Sequence, residues 1–355
     1  MSLKAKLKAL ILQQGPMTVA QYMSQCLHDP EHGYYATRPR LGADGDFITA
    51  PLVSQMFGEL IGLWCAETWE RMGRPPRVIL AEVGPGDGAL MSDALRALKL
   101  APDFLKAADL WLVETSAPLR QRQAESLAAA ALEPRWAVAL DELPSELPLI
   151  LVANEVLDCL PARQFVRMDD GWAERMVGLD DGGELEFGLA RRPLDRSLPE
   201  AEPGGVAEIS AAQETFAAEI GRRLVCQGGA ALLIDYGRAE PGIGDTFQAL
   251  KSHEKVSPLE DPGEADLTVH ADFPAVIAAA RTAGTEAKLL TQGAFLTRLG
   301  IVQRAEALRR ARPDRAPVLA RQLERLIGED HMGELFKVAC IHAPGLAAPG
   351  FEVET

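Results

Sequence analysis

The sequence predicts an α/β fold with a seven-stranded, mostly parallel sheet, and two observations lead to this prediction. From Pro76 onward, short apolar runs alternate with stretches of helical periodicity, which is the pattern of parallel strands joined by helical crossovers. A glycine-rich segment, Glu82 to Gly88, lies between the first apolar run and an Ala- and Leu-rich helix, as in doubly wound sheets. With 47% apolar residues among 355, the chain can bury one large core or two modest ones.

Three helices are predicted before the sheet. Leu3, Leu7 and Leu10 alternate with lysines at helical spacing and no long apolar stretch follows, so the N-terminus is an amphipathic helix rather than an export signal. The segment Thr18 to Gln21 has the form of a capping box and begins a second helix that extends to about Leu27. A third, long helix is predicted from side chains at three- and four-residue spacing: Met56, Leu60, Leu63, Trp64 and Thr68.

The segment from Gly33 to Pro51 lies between the second and third helices. It is rich in turn-forming residues, yet it carries aromatic side chains that an idle surface loop would not need. We expect this segment to form a structured lid or cleft wall.

The predicted sheet is made of seven apolar runs and carries an insertion. Between the fourth and fifth runs, an alternating pattern with turn signals from Gln164 to Gly188 predicts an inserted antiparallel hairpin or meander. The predicted strands are Val78 to Val83, Leu110 to Glu114, Trp136 to Val138, Leu149 to Ala153, Ala230 to Asp235, Ala287 to Leu290 and Leu335 to His342.

These patterns predict three parts of the chain. Residues 1–75 form the N-terminal helical extension and cleft wall, and residues 343–355 form a C-terminal tail. The main domain covers residues 76–342, with insertions at about 163–190 and 237–270, the second of which is polar and turn-rich.

The net charge, the cysteine pattern and the lengths of the apolar runs limit the partners, bound groups and location that we expect for this chain. The formal net charge is -15, and no run of Lys and Arg offers phosphates a continuous basic track, so we expect no nucleic-acid partner; a basic protein segment suits this charge better. The five cysteines are scattered without a C-x-x-C pair, which argues against a disulfide framework and against a metal site. No apolar run reaches about 18 residues, so we expect no membrane insertion and a cytoplasmic location.

The glycine-rich segment predicts a cofactor. Gly84, Gly86 and Gly88 follow the first strand at two-residue steps, so the backbone can approach a ligand closely. Gly84, Gly86 and Ala89 also fit the dinucleotide fingerprint G-x-G-x-x-G/A, which alone is weakly specific. Glu82 separates the alternatives, because its carboxylate would repel a pyrophosphate but suits the ammonium of a methionine moiety. We therefore favour S-adenosylmethionine (SAM) over a nicotinamide cofactor.

Two further acidic residues follow the next strands. Glu114 ends the second strand, where a carboxylate can accept hydrogen bonds from both ribose hydroxyls. Asp141 comes just after the third strand, and two interpretations of it stay open: it binds the adenine amino group, or it is the N-cap of a helix.

The fourth strand is followed by a polar cluster at the edge where the donor methyl group would point. Asn154 is predicted to contact the cofactor, and Glu155 and Asp158 could clamp a guanidinium. The alternative is that Glu155 and Asp158 cap and decorate the next helix. His270 could act as a base or orient the acceptor, although a lone histidine is more often structural or solvated.

At this point the chain resembles the MidA-like methyltransferases, whose mitochondrial members are complex I assembly factors that methylate arginine. The resemblance extends from about residue 18 to 342. It rests on these segments: Asp29 to Tyr35, Gly45 to Thr49, Ser54 to Gly58, Glu82 to Gly88, Glu114, Asn154 to Pro161, Ile234 to Gly237, Asp266 to Phe273 and Met332 to Val338.

The resemblance implies a class I SAM-methyltransferase fold, SAM as cofactor, and symmetric dimethylation of an arginine on a core peripheral-arm subunit of respiratory complex I. It also implies that Gly84, Gly86 and Gly88 contact SAM, that Glu114 binds the ribose, and that the Gly45 to Thr49 segment is cleft wall; Thr49 is accordingly predicted to contact the cofactor. One departure concerns the acceptor. Better-known arginine methyltransferases hold the guanidinium with two glutamates on one loop, whereas this edge offers one Glu and one Asp.

Other functions are also consistent with the sequence. The main alternative is a SAM-binding assembly chaperone, in which the methyltransferase fold serves as a scaffold without catalysis. A remote alternative is a nicotinamide-dependent oxidoreductase, which the position of Glu82 disfavours. The Leu-rich N-terminal helix is a candidate surface for pairing of two chains.

Overall fold

The computed structural model describes residues 2–37, 49–194 and 196–352. The chain divides into two compact units. The first comprises Met1–Phe47, Leu157–Thr215 and Arg238–Ala275, and the second comprises Ile48–Val156, Phe216–Gly237 and Val276–Thr355.

The helices of the described residues, in chain order, are α1 (Leu3–Gln14), α2 (Val19–His28), α3 (Tyr34–Thr37), α4 (Ala50–Val53), α5 (Gln55–Arg71), α6 (Ala89–Ala97), α7 (Pro102–Ala107), α8 (Ala117–Ser126), α9 (Ala211–Gln227), α10 (Phe273–Thr282), α11 (Gln292–Arg298), α12 (Ile301–Ala311), α13 (Ala316–Ile327) and α14 (Met332–Leu335). The strands are β1 (Met17–Thr18), β2 (Val78–Val83), β3 (Ala108–Val113), β4 (Arg135–Ala137), β5 (Leu149–Asn154), β6 (Arg163–Met168), β7 (Gly171–Leu179), β8 (Leu185–Ala190), β9 (Val206–Ile209), β10 (Gly229–Arg238), β11 (Gln248–Lys251), β12 (Glu254–Val256), β13 (Asp266–Thr268), β14 (Ala271–Asp272), β15 (Glu286–Thr291) and β16 (Phe336–His342).

The second unit is built on the predicted sheet. Its strands follow the order β15-β16-β10-β5-β2-β3-β4. The pairs from β10 to β4 are parallel, whereas β16 runs antiparallel to both β10 and β15. All seven predicted strands are present in this path, with ends that differ from the prediction by up to three residues. The predicted α/β fold is therefore confirmed.

The register of the sheet places the predicted cofactor residues at one edge. Val83 in β2 lies opposite Val113 in β3 and Ala153 in β5. Because parallel strands end at the same edge of a sheet, the residues that follow these three positions come together there. They are the glycine loop after β2, Glu114 after β3 and Asn154 at the end of β5.

Helix α5 packs closely against α6, the helix that follows the glycine loop. A Cβ atom on Gly58 would lie 2.7 Å from Cβ of Asp93, and one on Gly62 would lie 2.7 Å from the carbonyl oxygen of Ala94. Glycine is needed at both positions because any side chain would push the two helices apart. The predicted long helix is thus present, and its two glycines fix its distance to α6.

The first unit combines helices with antiparallel strands. Strand β7 pairs with β1, β6 and β8, and β9 extends the sheet beyond β6. Strands β6 to β8 are the predicted inserted meander. The predicted capping box is also present, because Thr18 Oγ1 accepts the Gln21 backbone N–H and the Gln21 side chain accepts the Thr18 N–H. Helices α1 and α2 bury an apolar core that includes Leu7, Tyr22 and Met23.

The turn-rich stretch between Gly237 and Pro262 carries two strands that its composition did not indicate. Strand β11 pairs with both β12 and β13 to form a three-stranded sheet. None of the helices in the described parts of the chain is long and apolar enough to cross a membrane.

Candidate active site

The glycine loop adopts a backbone that favours glycine. Gly84, Gly86 and Gly88 have φ angles of 63°, 58° and 83°, all in the left-handed region. The Gly84 N–H donates to the carbonyl oxygen of Val113 at 3.1 Å, which ties the loop to β3. A Cβ on Gly84 would lie 2.9 Å from Cγ2 of Val156, so the loop also packs against the chain that follows β5.

Glu82 is a buried carboxyl group with an unpaired oxygen. It is only 2% exposed, and its Oε2 has no hydrogen-bond partner among the described residues. Burial and the negative charge of Asp87 raise the pKa of Glu82 to about 8. A buried carboxylate without a partner is costly, so this position favours a cationic ligand group.

Glu114 lies at the next strand end and is held by its neighbours. Its Oε1 accepts the backbone N–H of Ser116 at 2.7 Å, and its Oε2 accepts Nε2 of Gln123 at 3.2 Å. Arg120 Nε donates to the Glu114 carbonyl oxygen at 2.7 Å. Burial raises the pKa of Glu114, against the lowering effect of these hydrogen bonds. The Glu114 carboxylate is therefore held in place at the strand end where a residue that binds the ribose hydroxyls was predicted.

Gln123 and Ser116 belong to this edge and were missed by the sequence analysis. The Gln123 side chain is buried and also donates to the carbonyl oxygen of Gly86 at 2.9 Å. The Ser116 Oγ atom is buried without a hydrogen-bond partner in the described structure. The one available signal for Gln123 is its four-residue spacing from Leu119, which together with it forms the buried face of α8.

Asn154 and Glu155 end β5 in a strained turn. Glu155 has a φ angle of 55°, which is rare for a residue with a side chain. Its N–H donates to the Ile234 carbonyl oxygen at 2.8 Å, and its Oε1 accepts Nδ2 of Asn154 at 3.0 Å and the N–H of Ala50 at 3.3 Å. Asn154 Oδ1 is buried without a partner among the described residues. Strain of this kind persists where the surrounding structure holds it, commonly at functional sites.

The alternative in which Glu155 and Asp158 cap a following helix is wrong. The chain after β5 forms bends and turns up to Leu160, and β6 follows at Arg163. Neither carboxylate therefore caps a helix that follows it in the chain; the helix N–H that Glu155 accepts belongs to Ala50, the first residue of α4.

Asp158 and His270, the other proposed acceptor residues, belong to the first unit, whereas Glu155 belongs to the second. Asp158 is buried, and its carbonyl oxygen accepts the N–H of Val269 at 2.9 Å, so the Asp158 and His270 segments are hydrogen-bonded neighbours. The backbone N–H of His270 donates to Thr246 Oγ1 at 2.9 Å. His270 also lines a cavity of about 390 Å³ within the first unit.

Thr49 and Asp141, two other predicted cofactor contacts, lie in the second unit. Thr49 precedes α4 as its N-cap residue and makes no side-chain capping bond there. The rest of the Gly45 to Thr49 segment lies outside the described residues. Asp141 is exposed on a 3-10 helix, Leu140–Glu142, whose N-cap is Ala139. The N-cap interpretation of Asp141 is therefore wrong.

The residues at this sheet edge fit SAM. Three buried polar atoms without partners in the described structure, Glu82 Oε2, Ser116 Oγ and Asn154 Oδ1, lie at or just after the ends of β2, β3 and β5. SAM presents an ammonium, two ribose hydroxyls and an adenine amino group. All of these groups donate hydrogen bonds that oxygen atoms can accept. The positive φ angles of the loop also leave its backbone open to a ligand.

We predict that SAM binding depends on the ionisation of Glu82. In the free protein a pKa of about 8 keeps the carboxyl group largely protonated at pH 6, and pairing with the ligand ammonium favours the carboxylate. Affinity for S-adenosylhomocysteine should therefore rise between pH 6 and pH 8, by at most about tenfold per pH unit. At the lower pH, binding should be accompanied by release of the proton from the Glu82 carboxyl group. Calorimetric titration in buffers of different ionisation enthalpy measures both effects. Glu82→Gln should remove the slope; a flat profile in the wild-type protein would contradict the assignment.

Comparison with known proteins gives concordant matches. A family model described as "Putative S-adenosyl-L-methionine-dependent methyltransferase" matches residues 60–291. A relative from Danio rerio, named protein arginine methyltransferase NDUFAF7, mitochondrial, is 34% identical over 95% of this chain and 86% of its own length. The protein of the same name from Homo sapiens is 32% identical over 92% of this chain and 80% of its own length.

Two solved structures from Burkholderia thailandensis are similar over nearly the whole chain. One is described as a "likely methyl transferase" bound to S-adenosyl-homocysteine; it has a TM-score of 0.86 and 29% identity, and the match covers 99% of this chain and 92% of that one. The other, a native crystal structure, has a TM-score of 0.84 and 30% identity, and the match covers 98% and 94% of the two chains. The resemblance to MidA-like methyltransferases and the choice of SAM as cofactor are confirmed.

Proposed function

We propose that this chain, which belongs to the family of S-adenosyl-L-methionine-dependent methyltransferases matched above, transfers the methyl group of SAM to arginine side chains of a protein. The names of its relatives support this acceptor. The structural observation that carries the proposal is Glu155, whose carboxylate is held in a strained turn at the end of β5. Val156, the next residue, packs against Gly84 of the glycine loop.

The residues at the sheet edge have distinct proposed roles. When bound, SAM supplies an electrophilic methyl carbon on a positively charged sulfur. Glu82 and the glycine loop hold the methionine part and Glu114 holds the ribose, so the donor cannot turn. The Glu155 carboxylate accepts hydrogen bonds from the acceptor guanidinium, whose planar fork matches two carboxylate oxygens. Asn154 Nδ2 orients Glu155 by donating to its Oε1.

Methyl transfer forms a bond between a guanidinium nitrogen and the methyl carbon as the bond from sulfur to that carbon breaks. The nitrogen loses one proton. We propose His270 as the base that takes it and Asp158 as a second carboxylate contact of the acceptor. Alignment of the two reacting atoms, rather than covalent catalysis by the protein, supplies most of the acceleration in such a reaction.

The more specific parts of the proposal concern the client and the location. We propose symmetric dimethylation of an arginine on a core peripheral-arm subunit of respiratory complex I, in line with the family resemblance. The formal net charge of -15 favours encounter with a basic client segment. We also propose a cytoplasmic location, whereas the curated relatives are named as mitochondrial.

Label transfer tests this function. The chain is incubated with methyl-labelled SAM and the complex I peripheral-arm subunit, and the labelled residue is identified after digestion. We expect label on arginine from the wild-type chain and none from the Gly86→Val variant. Binding of SAM and of the client without any label would favour the alternative of an assembly scaffold.

A further inference from the structure

We propose that Gln123 is a positioning residue that locks the glycine loop to the ribose-binding carboxylate, so that the ends of β2 and β3 form one preorganised cofactor cradle. This inference rests on the proposed role of Glu114. Gln123 lies on α8, and its side chain is 0% exposed.

The side-chain amide of Gln123 connects three parts of the second unit. Its Nε2 donates to the carbonyl oxygen of Gly86 at 2.9 Å and to Oε2 of Glu114 at 3.2 Å. Its Oε1 accepts Nε1 of Trp136, on β4, at 2.8 Å. Both amide hydrogens and the amide oxygen are therefore used.

The chemistry of these partners requires an amide. The indole N–H of Trp136 can only donate, so it faces the amide oxygen. The Gly86 carbonyl and the ionised Glu114 carboxylate can only accept, so they face the NH₂ group. A glutamate at position 123 would present oxygens to both acceptors, and a methionine of similar length would remove all three of these hydrogen bonds.

Packing around α8 strengthens the link. A Cβ on Gly88 would lie 3.5 Å from Cα of Gln123, so the start of α6 lies against α8. Glu114 is also held through its backbone, because Arg120, one turn before Gln123, donates to its carbonyl oxygen. The same helix thus fixes both the loop and the carboxylate.

The consequence for binding is preorganisation. Oε2 of Glu114 accepts a hydrogen bond from Gln123, and a carboxylate oxygen of this kind keeps capacity to accept another from a ribose hydroxyl. Without Gln123, neither Oε2 of Glu114 nor the Gly86 carbonyl oxygen would be held in place before the ligand arrives. Binding would then have to fix the carboxylate and the loop in one conformation, and the free energy that this costs would lower the affinity.

Substitution of Gln123 tests this proposal by titration with S-adenosylhomocysteine. We expect Gln123→Met to weaken binding by about tenfold to a hundredfold, since a hydrogen bond to a charged group is lost. Gln123→Glu should bind much more weakly than the wild type at pH 8, and this deficit relative to the wild type at the same pH should shrink as the pH falls, because a protonated carboxyl group can again donate to Glu114. Gln121→Met is the matched control: Gln121 lies on the same helix but faces solvent, where its Nε2 donates to Glu125.

Two further measurements separate positioning from mere stability and from the role of Glu114. In the Glu114→Gln background, Gln123→Met should cost much less affinity than in the wild type. Thermal unfolding without ligand shows how much of each variant is folded. Wild-type affinity in folded Gln123→Met, strictly additive effects, or a Gln123→Glu deficit relative to the wild type at the same pH that does not shrink in acid would overturn the inference. Normal binding by Glu114→Gln would instead show that the proposed ribose contact is wrong.

Discussion

Glu155→Gln should reduce methyl transfer by about 100-fold to 1,000-fold, the loss seen when one preorganised electrostatic contact is removed, and leave S-adenosylhomocysteine affinity close to that of the wild type. Glutamine keeps the size of the side chain and an oxygen that can accept from Asn154 and Ala50, but it removes the charge that we propose binds the acceptor guanidinium. Single-turnover transfer and equilibrium binding, measured on the same preparation, separate the two effects.

A second substitution at this position controls for backbone strain. Glu155→Gly can adopt the φ angle of 55° without steric cost, so we expect this variant to be no less stable than the wild type and just as deficient in transfer as Glu155→Gln. If Glu155→Gly transferred methyl groups at the wild-type rate, the carboxylate would have no role in the reaction.

Gly86→Val should abolish measurable binding of SAM, a loss of at least about 100-fold. The φ angle of 58° at Gly86 is one that a β-branched residue does not adopt without strain. The change would therefore move the loop backbone, including the carbonyl oxygen that Gln123 holds. Ligand-induced change in the melting temperature and direct titration both report this loss.

Gly73→Val is the matched control for this experiment. Gly73 also has a left-handed φ angle, 82°, in the same unit, and a Cβ there would meet nothing within 4 Å. Its substitution carries a comparable backbone strain away from the glycine loop. Gly73→Val should be destabilised but should bind S-adenosylhomocysteine normally; equal loss of binding in both variants would mean that the effect of Gly86→Val is one of stability alone.

The sheet and its edge could be predicted because their signals are local. Strand β2 reads as an apolar run that only Glu82 interrupts, and the glycines that follow the strand come at two-residue steps. The parallel topology then dictates that Glu114 and Asn154 end at the same edge. Helix α9 and strand β9 were not predicted; β9 is only four residues long, too short for an alternating pattern to stand out.

The features that depend on three-dimensional partners could not be predicted. Glu155 combines a φ angle of 55° with a hydrogen bond from its N–H to the Ile234 carbonyl oxygen on β10, and nothing in the local sequence signals either feature. The role of Gln123 arises from Gly86, Glu114 and Trp136, which are distant from one another along the chain. The turn after β5 was open to a helical interpretation because Glu155 and Asp158 have the spacing of N-terminal helix residues.

The acceptor and the role of Glu155 are tested together by identifying the methylated residue after a single turnover, with wild-type protein and Glu155→Gln run side by side. We expect methylarginine on the client from the wild-type chain, and little or none from Glu155→Gln despite normal S-adenosylhomocysteine binding. Label on another type of residue, or equal methylarginine from both proteins, would contradict it.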